Sequence, residues 1–243
     1  MKLLTLMKLL YKGYFVKDEW SQYYLAEKLF NVIYPKMKIS EFGNIYYEDM
    51  EFQKYYRDFV GDNFHSYDRK FALLNLLKIV TNLEGNYAEC GVFQGATAYL
   101  IANSMRNNEK LFLYDTFEGL SEPSKEDGTY WSKGDLNAGI EFVKNRLKQF
   151  NRIEYKQGFI PARFYENADT FFKFVHVDVD LYQPTKDSIA FFYDRLVKGG
   201  ILVCDDYGFK SCPGAKQAFD EIMESKPESI VLLPTGQAFI IKE

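Results

Sequence analysis

Four aspartates follow two apolar segments in the second half of the chain. Asp178 and Asp180 come after the first segment, and Asp205 and Asp206 come after the second. A stretch long enough for one helix separates the segments, so they are predicted to be neighbouring parallel strands joined by a right-handed crossover. The four carboxylates then lie at one edge of the sheet, where they repel one another unless they share a proton or a cation. A divalent ion that prefers oxygen ligands explains them most simply.

Helix caps and surface salt bridges are the alternative role for these acids. That role explains one or two of them, but it explains four acids at two adjoining strand ends poorly. Asp178 and Asp180 are two residues apart, so they face the same side of an extended strand, together with His176. His176 is predicted to be a hydrogen-bonded core histidine, and His65, in a polar loop, has no predicted role. The acids are therefore predicted to bind a metal or to act in catalysis.

A glycine turn follows an earlier strand-like segment and precedes a helix. Gly91 and Gly95 lie in this turn, and Glu89 comes just before the first glycine. Glycine lets the backbone turn tightly and approach a ligand closely, although any tight turn from strand to helix favours it. Asp115 ends the next strand about 20 residues later, where a nucleoside-binding domain places an acid against ribose hydroxyls. A helix cap or a surface carboxylate is the alternative role for Asp115.

The spacing of this turn distinguishes two classes of cofactor. It is not the fingerprint G-x-G-x-x-G, whose close glycines and free helix N-terminus bind the pyrophosphate of a dinucleotide. S-adenosylmethionine has no phosphate, and Glu89 suits its cationic amino group and sulfonium. The segment Gln157-Gly158-Phe159 ends a third strand, where it can stack on or hydrogen-bond an adenine, with a plain turn as the alternative. The turn therefore favours a methyl donor over a nicotinamide cofactor.

Strands alternate with helices in the C-terminal two thirds of the chain, which predicts an α/β fold with a doubly wound, mostly parallel sheet. Its ligands are expected beyond the carboxyl ends of the strands, where the strand order reverses. Two last strands, at 230–233 and 238–241, are joined by a short turn and are predicted to be antiparallel. The other predicted strands lie at 87–90, 111–114, 153–156, 174–177 and 201–204, and helices lie at 96–105, 140–150, 185–198 and 212–225.

The first third of the chain has a different pattern of helix and loop. Helices are predicted at 20–34 and 68–83. The segment 39–64 is irregular and rich in Tyr, Phe and acids, and it is predicted to form a lid or an interface. Residues 1–84 are accordingly predicted to be an N-terminal helical extension, and residues 85–243 a cofactor-binding domain.

Composition limits the classes of protein that the chain can belong to. Its 243 residues suit one α/β domain with an extension and can bury a substantial core. The net charge of −4 does not indicate a nucleic-acid partner, which favours a basic surface. Three scattered cysteines are too few for a disulfide framework or a zinc site, and they fit a cytoplasmic location. The apolar stretch 1–10 contains Lys2 and Lys8 and is too short to cross a bilayer, so no transmembrane segment is expected.

Together these motifs resemble the macrocin O-methyltransferase family, whose members use S-adenosylmethionine and magnesium to methylate sugar hydroxyls of natural products. The family usually has a small or aliphatic residue at Cys90, a tryptophan-like residue at Phe93 and glycine at Val179. The matching segments, in order along the chain, are Glu89–Gly95, Asp115–Leu120, Asp178–Tyr182 with Pro184-Thr185, and Gly199-Gly200 with Asp205–Tyr207.

The resemblance implies a Rossmann-like class I methyltransferase fold with a seven-stranded sheet and an antiparallel last hairpin. It implies that Asp178, Asp205 and Asp206 hold Mg²⁺, and that the protein is a homo-oligomer through its N-terminal region. The residues predicted to contact S-adenosylmethionine are Glu89, Cys90, Gly91, Gly95, Asp115, Thr116, Phe117, Gln157, Gly158, Phe159 and Asp178.

The predicted activity is direct transfer of a methyl group from S-adenosylmethionine to a sugar hydroxyl of a glycan or a natural product. A metal ion on two adjacent hydroxyls lowers the pKa of one of them, and Asp178 or Asp180 takes the proton. Glu118, Tyr182 and Tyr207 are predicted to contact the substrate. The alternatives are methylation of a phenol or catechol, a nicotinamide-dependent oxidoreductase, which the glycine turn disfavours, and a non-catalytic protein on a methyltransferase fold.

Overall fold

Seven strands form one sheet in the computed structural model, which describes residues 3–35, 45–60 and 66–243. The strand order is β3-β2-β1-β4-β5-β7-β6. Strands β1 to β5 pair with one another in parallel, and β7 runs antiparallel to both β5 and β6. The predicted α/β fold with a reversed last hairpin is confirmed. The strands are β1 Asn86–Cys90, β2 Leu111–Asp115, β3 Ile153–Gln157, β4 Phe172–Val177, β5 Leu196–Cys204, β6 Val231–Leu232 and β7 Ala238–Ile241.

The register of β4 and β5 brings the two acidic segments together. Val177 pairs with Cys204, so Asp178 and Asp205 both follow directly at the carboxyl end of the sheet. The strand order reverses between β1 and β4, since β2 and β3 continue from β1 on one side and β4 and β5 lie on the other. Ligands of such sheets bind at this reversal, and the end of β1 at Cys90 lies next to the acids.

Helices cover the sheet because each strand of a parallel pair needs a crossover connection. Pro213 occupies the first turn of the last helix. Backbone N–H groups in the first turn have no acceptor within the helix, so proline, which lacks this group, breaks no hydrogen bond there. Gly95, in the left-handed conformation, precedes the helix that follows β1. In the unit that contains the sheet, the helices are α3 Met50–Tyr55, α4 Tyr67–Ile79, α5 Ala96–Ser104, α6 Ile140–Arg146, α7 Tyr182–Tyr193 and α8 Pro213–Met223, with a π-helical turn at Tyr56–Val60.

The predicted boundary between α7 and β5 was wrong. Helix α7 begins at Tyr182 rather than at residue 185, because Pro184 lies in its first turn, where no N–H is required. Strand β5 begins at Leu196 rather than at residue 201, so it includes Gly199 and part of the stretch predicted to be helix. Leu196 pairs with Phe172, and the register then shifts before the regular part of the ladder. Gly199, at φ +80°, accommodates this irregularity within the strand.

Helix α4 buries a face that matches the predicted one only in part. The sequence predicts an inner stripe of Phe71, Leu74 and Leu77, with Leu73 and Val80 as further candidates, and the buried residues of the helix are Lys70, Leu73, Leu76 and Leu77. Val80, at the end of the helix, is also buried. Phe71 and Leu74 are only half-buried. The buried lysine continues the apolar stripe by one turn toward the N-terminus, a position where the pattern alone gives no reason to expect a charge.

The chain divides into two compact units, Met1–Asp49 and Met50–Glu243. Helices α3 and α4 therefore belong with the sheet, and the division near residue 84 stays a prediction. Of the predicted lid or interface at 39–64, only 45–60 is described, as short helical segments, and His65 lies outside the described residues.

The first unit contains two described helices, α1 Leu3–Tyr11 and α2 Glu19–Ile33. Asp18 caps α2, because its Oδ2 accepts a hydrogen bond from the backbone N–H of Ser21 at 2.9 Å. No helix in the described parts of the chain is long and apolar enough to cross a membrane. Large apolar side chains of this unit nevertheless face solvent, among them Leu4, Met7, Leu10, Trp20, Leu29, Val32 and Ile33.

Candidate active site

A cavity of about 500 Å³ lies at the carboxyl ends of the parallel strands. It is surrounded by the glycine turn, by acids at the strand ends and by aromatic side chains of the neighbouring loops. Its position at the reversal of strand order is the one expected for a ligand site of this sheet. Of the residues predicted from the sequence, those that line the cavity are Glu89, Gly91, Asp115, Thr116, Gly158, Phe159, Asp178, Asp180 and Asp206.

Asp205 is the most deeply buried of the four strand-end aspartates. Its side chain is fully enclosed. Its Oδ1 accepts a hydrogen bond from Gln237 Nε2 at 2.5 Å and lies 3.2 Å from His176 Nε2. The β5–β7 pairing therefore matters for the site, since Gln237 immediately precedes β7. The buried His176 lies within the core, as predicted, with both ring nitrogens close to carboxylates of the site.

Asp180 and Asp206 form a second contact at the strand ends. The backbone N–H of Asp180 donates to Asp206 Oδ2 at 3.0 Å, and Cys212 Sγ donates to Asp180 Oδ1 at 3.4 Å. Asp180 adopts φ +59°, an uncommon conformation for a residue with a side chain. These contacts hold the strained loop after β4 so that the Asp180 carboxylate faces the cavity.

The acids fall into two groups whose oxygen, nitrogen or sulfur atoms lie within 4.8 Å of one another. Asp178 and Asp205 share the first group with His176, and Asp180 and Asp206 share the second with Cys212. The sequence resemblance instead assigns Asp178, Asp205 and Asp206 to one ion.

Arg69 of α4 lies against these acids, and no pattern in the sequence indicates this contact. Its Nη2 contacts Asp205 Oδ2 and lies 3.8 Å from Asp206 Oδ1. The guanidinium also lies over the ring of Phe209, 4.6 Å from its centroid. A helix that precedes β1 in the chain thus supplies a cation to the ends of β4 and β5. No local motif marks this contact, because it depends on how α4 packs against the sheet.

The buried groups of the site are shifted toward their neutral forms. Burial, with repulsion from Asp180 and Asp178, raises the pKa of Asp206 well above its usual value. Burial and repulsion from Asp178 raise the pKa of Asp180 to about 7. Burial lowers the pKa of His176 well below its usual value, and Lys70 and Arg69 add to this effect. Arg69 lowers the pKa of both Asp180 and Asp206, but its effect is smaller than that of burial, so further positive charge would stabilise the ionised acids.

Lys70 is the second cation that the sequence did not identify. It is fully buried and donates to Thr97 Oγ1 at the start of α5. Burial lowers its pKa to about 8, against the attraction of Asp178 and Glu89. A lysine aligned with Leu73 and Leu77 at helical spacing is the one signal in the sequence that could have indicated a buried charge.

Glu89 places a buried carboxylate at the end of β1, on the wall of the cavity. Only 1% of the residue is exposed, and burial raises its pKa well above the usual value, with Lys70 opposing the shift. Its Oε1 lies 3.3 Å from His176 Nδ1, but the two atoms do not have hydrogen-bond geometry. Its Oε2 makes no hydrogen bond with any described residue. A cationic group of a ligand would satisfy this oxygen.

Gly91 allows the ends of β1 and β4 to approach each other closely. It adopts φ +80°, and a Cβ there would overlap the carbonyl oxygen of Asp178. Glycine is therefore required at position 91 for a second reason besides the tight turn, because the backbone there packs directly against the backbone of the acidic segment after β4.

We expect Gly91→Ala to lower the stability of the protein and to abolish binding at the glycine turn. The backbone strain alone costs about 1–3 kcal/mol, and the overlap with Asp178 forces β1 and β4 apart. Gly134→Ala is the matched control, because Gly134 also has positive φ, but its Cβ would meet nothing within 4 Å. Urea unfolding and calorimetric titration with S-adenosylhomocysteine measure both effects. Equal losses of stability and of S-adenosylhomocysteine binding in the two variants would contradict the role of the close contact between Gly91 and Asp178.

Asp115 fixes the glycine turn from the neighbouring strand. Its Oδ2 accepts from the backbone N–H groups of Val92 at 2.6 Å and Phe93 at 3.2 Å. Its Oδ1 accepts from Phe117 N at 2.7 Å. A carboxylate has about four lone-pair positions, so Asp115 retains acceptor capacity toward the cavity that it lines.

Other predicted residues lie beside the cavity rather than on its wall. Cys90 faces the core, Gly95 precedes α5, Phe117 is buried, and Glu118 and Gln157 are exposed. The predicted substrate contacts are bound elsewhere: Tyr182 donates to Glu221 at 2.7 Å, and Tyr207 donates to Asp220 at 2.7 Å. Cavity residues that the sequence analysis did not identify include Arg69, Thr97, Tyr130, Trp131, Phe209 and Cys212.

Comparison with known families identifies the chain. Residues 71–228 match the family model described as Macrocin-O-methyltransferase (TylF). This chain belongs to the macrocin-O-methyltransferase family. The match covers the whole parallel sheet and the acidic strand ends, so the resemblance predicted from the motifs is confirmed.

Two characterised relatives of the family are similar to part of the chain. The demethyldecarbamoylnovobiocin O-methyltransferase of Streptomyces niveus is 25% identical over 159 residues, 59% of this chain and 60% of the relative. The 8-demethyl-8-(2,3-dimethoxy-alpha-L-rhamnosyl)-tetracenomycin-C 4'-O-methyltransferase of Streptomyces olivaceus is 24% identical over 152 residues, 56% of this chain and 58% of the relative. The similarity thus spans about three fifths of these proteins.

Solved structures of methyltransferases share the fold. The calicheamicin methyltransferase CalS11 matches with a TM-score of 0.65 and 18% identity, covering 80% of this chain and 92% of CalS11. The O-methyltransferase NovP matches with a TM-score of 0.61 and 19% identity, covering 75% of this chain and 83% of NovP. At this identity the likeness establishes the class I methyltransferase architecture.

Proposed function

We propose that this protein is an S-adenosylmethionine-dependent and Mg²⁺-dependent O-methyltransferase that acts on a sugar hydroxyl of a glycan or a natural product. The observation that carries the proposal is the shared cavity: in a member of this family, the glycine turn after β1 lines the same space as Asp178, Asp180 and Asp206. A methyl donor at the turn would then lie beside an acceptor held at the acids.

The glycine turn fits the methionine end of S-adenosylmethionine. Glu89 lines the cavity, and its buried Oε2 has no hydrogen-bond partner among the described residues, so the cationic amino group of the cofactor would supply one. Gly91 leaves room for the backbone to approach the ligand. Asp115, with acceptor capacity to spare, would receive the ribose hydroxyls.

The acids after β4 and β5 fit a hard divalent cation. Carboxylate oxygens are the ligands that Mg²⁺ prefers, and Asp205 Oδ2 is a buried oxygen without a hydrogen bond. Asp178, Asp205 and Asp206 would hold the ion, as the family resemblance implies. When bound, the ion supplies Lewis acidity and a template for two adjacent hydroxyls.

Asp180 is the residue best placed to remove the proton of the acceptor hydroxyl. It lines the cavity, and its carboxylate is held by Cys212 from α8. Asp178 lies closer to Asp205 and His176, in the group that would hold the ion. The chain otherwise contributes positioning: the buried walls exclude water and align donor and acceptor, which supplies much of the rate in such transfers.

The substrate class is proposed from the walls of the cavity and from the names of relatives. Trp131, Tyr130, Phe159 and Phe209 line it, and aromatic rings of this kind present apolar faces to the C–H side of a sugar. The name of the Streptomyces olivaceus relative includes a rhamnosyl group. A second solved structure of CalS11 is described as a TDP-rhamnose 3'-O-methyltransferase.

Titration of the purified protein with S-adenosylhomocysteine and with NAD tests the cofactor. A ligand that binds only the folded state, at 100 times its dissociation constant, stabilises the protein by about 2.7 kcal/mol, and we expect this for S-adenosylhomocysteine alone. Radiolabelled methyl transfer to nucleotide sugars, glycosides and catechols, with Mg²⁺ or EDTA, then tests the reaction. Methylation of catechols alone would replace the sugar proposal, and binding of NAD alone would overturn the cofactor.

We also propose a cytoplasmic homo-oligomer. The exposed apolar side chains of α1 and α2 support self-association, because large exposed apolar surfaces mark interaction sites.

A further inference from the structure

Arg69 holds a position that a metal ion of the proposed enzyme requires. Its guanidinium contacts Asp205 Oδ2 and approaches Asp206 Oδ1 at 3.8 Å. These are two of the three carboxylates proposed as metal ligands. Asp205 Oδ1 already accepts from Gln237 Nε2, so Oδ2, the oxygen that Arg69 contacts, is the one left for an ion.

The contact between Arg69 and Asp205 is an ion pair without the paired hydrogen bonds of a guanidinium fork. Neither Arg69 Nε nor Asp205 Oδ2 makes a hydrogen bond among the described residues. A bidentate arginine–carboxylate pair would satisfy both atoms and would be correspondingly stable. The observed pair neutralises charge but leaves donor and acceptor capacity unused, so another cation can compete for it.

Arg69 has a second set of neighbours available when it leaves the acids. Its side chain is 13% exposed and lines the cavity, whereas that of Asp205 is fully enclosed. The guanidinium already lies over the Phe209 ring, 4.6 Å from the centroid. The cavity therefore gives the guanidinium space to rotate away from the carboxylates.

We propose that Arg69 is a built-in counter-ion of the strand-end acids, which a divalent cation displaces when it binds to Asp205 and Asp206. This inference rests on the proposed use of a metal. It explains how buried carboxylates are tolerated in the metal-free chain: α4 supplies the positive charge until the ion replaces it. The exchange also lowers the apparent metal affinity, because only molecules whose arginine has left the acids can bind the ion.

The direct test compares Mn²⁺ binding by the full chain and by Arg69→Met, using electron paramagnetic resonance to measure free Mn²⁺. Methionine keeps an unbranched side chain that can cover Phe209, but it carries no charge. We expect the dissociation constant for Mn²⁺ to fall about tenfold or more, which corresponds to the removal of about 1.4 kcal/mol of competition. We also expect metal-free Arg69→Met to unfold at a lower temperature, and saturating Mn²⁺ to reduce this difference.

Two further variants make the test specific. Arg57→Met removes an exposed arginine that is paired with Asp58 at 3.4 Å, and it should bind Mn²⁺ as the original chain does. Arg69→Lys keeps a positive charge but lacks the planar fork, so an intermediate affinity is expected. If metal-free Arg69→Met does not fold, the comparison of Arg69→Lys with the original chain still tests whether weakening the arginine contact raises the affinity for Mn²⁺. Unchanged or weaker Mn²⁺ binding in the Arg69 variants would overturn the exchange.

Binding of S-adenosylhomocysteine, measured in parallel, separates this inference from the proposed function. If neither the original chain nor Arg69→Met binds Mn²⁺ while S-adenosylhomocysteine binds and methyl transfer proceeds in EDTA, the exchange is wrong but the methyltransferase is not. If S-adenosylhomocysteine does not bind either, the proposed function fails as well. Mn²⁺ binding by Arg69→Met alone would support the exchange in its strongest form, with the arginine excluding the ion.

Discussion

Asp180→Asn is expected to lower the rate constant for methyl transfer by about 10²–10⁴-fold, the usual contribution of a general base. The substitution keeps the shape of the side chain but removes its capacity to take a proton. Asp180 lines the cavity, its Oδ1 accepts from Cys212, and its backbone N–H is bound to Asp206. Those contacts remain available to asparagine, so the loop after β4 should keep its conformation.

Single-turnover methyl transfer and titrations with Mn²⁺ and S-adenosylhomocysteine separate this effect from a structural one. We expect both ligands to bind Asp180→Asn with affinities close to those of the original chain. Asp169→Asn is the control, since Asp169 is an exposed aspartate before β4. A variant that retains the full single-turnover rate would exclude Asp180 as the base and leave Asp178 as the remaining candidate.

Asp205→Ala should have the largest combined effect, on both stability and metal-dependent activity. From the sequence alone the expected result is loss of the metal and of turnover. The structure adds a cost in folding, because Asp205 contacts Arg69, His176 and Gln237 inside the protein. Breaking a buried ion pair by removing one partner typically costs about 3–5 kcal/mol, so we expect a loss of that size in metal-free unfolding.

A double-mutant cycle isolates the arginine contribution to that loss. Combining Asp205→Ala with Arg69→Met removes both partners. The double variant should therefore lose less unfolding free energy than the sum of the losses in the two single variants. Asp194→Ala, at an exposed position after α7, controls for removal of a carboxylate as such. Strict additivity would show that Arg69 and Asp205 do not stabilise each other, and full metal-dependent turnover by Asp205→Ala would refute the metal site.

The strand-end acids could be predicted from the sequence because their positions follow from local geometry. An acid directly after an apolar run in a parallel sheet must lie at its carboxyl edge, whatever the details of packing. Glu89, Asp115 and Asp178 were located in this way, and all three line the cavity. The same reasoning established the fold, since alternating strands and helices admit few other arrangements.

The residues that the sequence did not reveal come from packing between distant segments. Arg69 and Lys70 lie on α4, before the first strand, and reach the site only because that helix packs beside α5 and the strand ends. Gln237 reaches Asp205 through the antiparallel last strand. Tyr182 and Tyr207 failed to line the cavity for a related reason: acids of α8 bind both phenols. Helix orientation decides such contacts, and periodicity does not specify it.

The pairing of β1 with β4 also constrains how the chain can acquire its site during synthesis. Cys90 lies beside Val177, so the two halves of the cavity meet only after a long segment has been made, and contacts of such separation form late. Asp178 leaves the ribosome before Asp205, and Gln237 follows later. Until the segment that contains Gln237 is added, the Asp205 carboxylate lacks its amide donor. A nascent chain that stops short of β7 therefore has a strand-end acid without one of its partners.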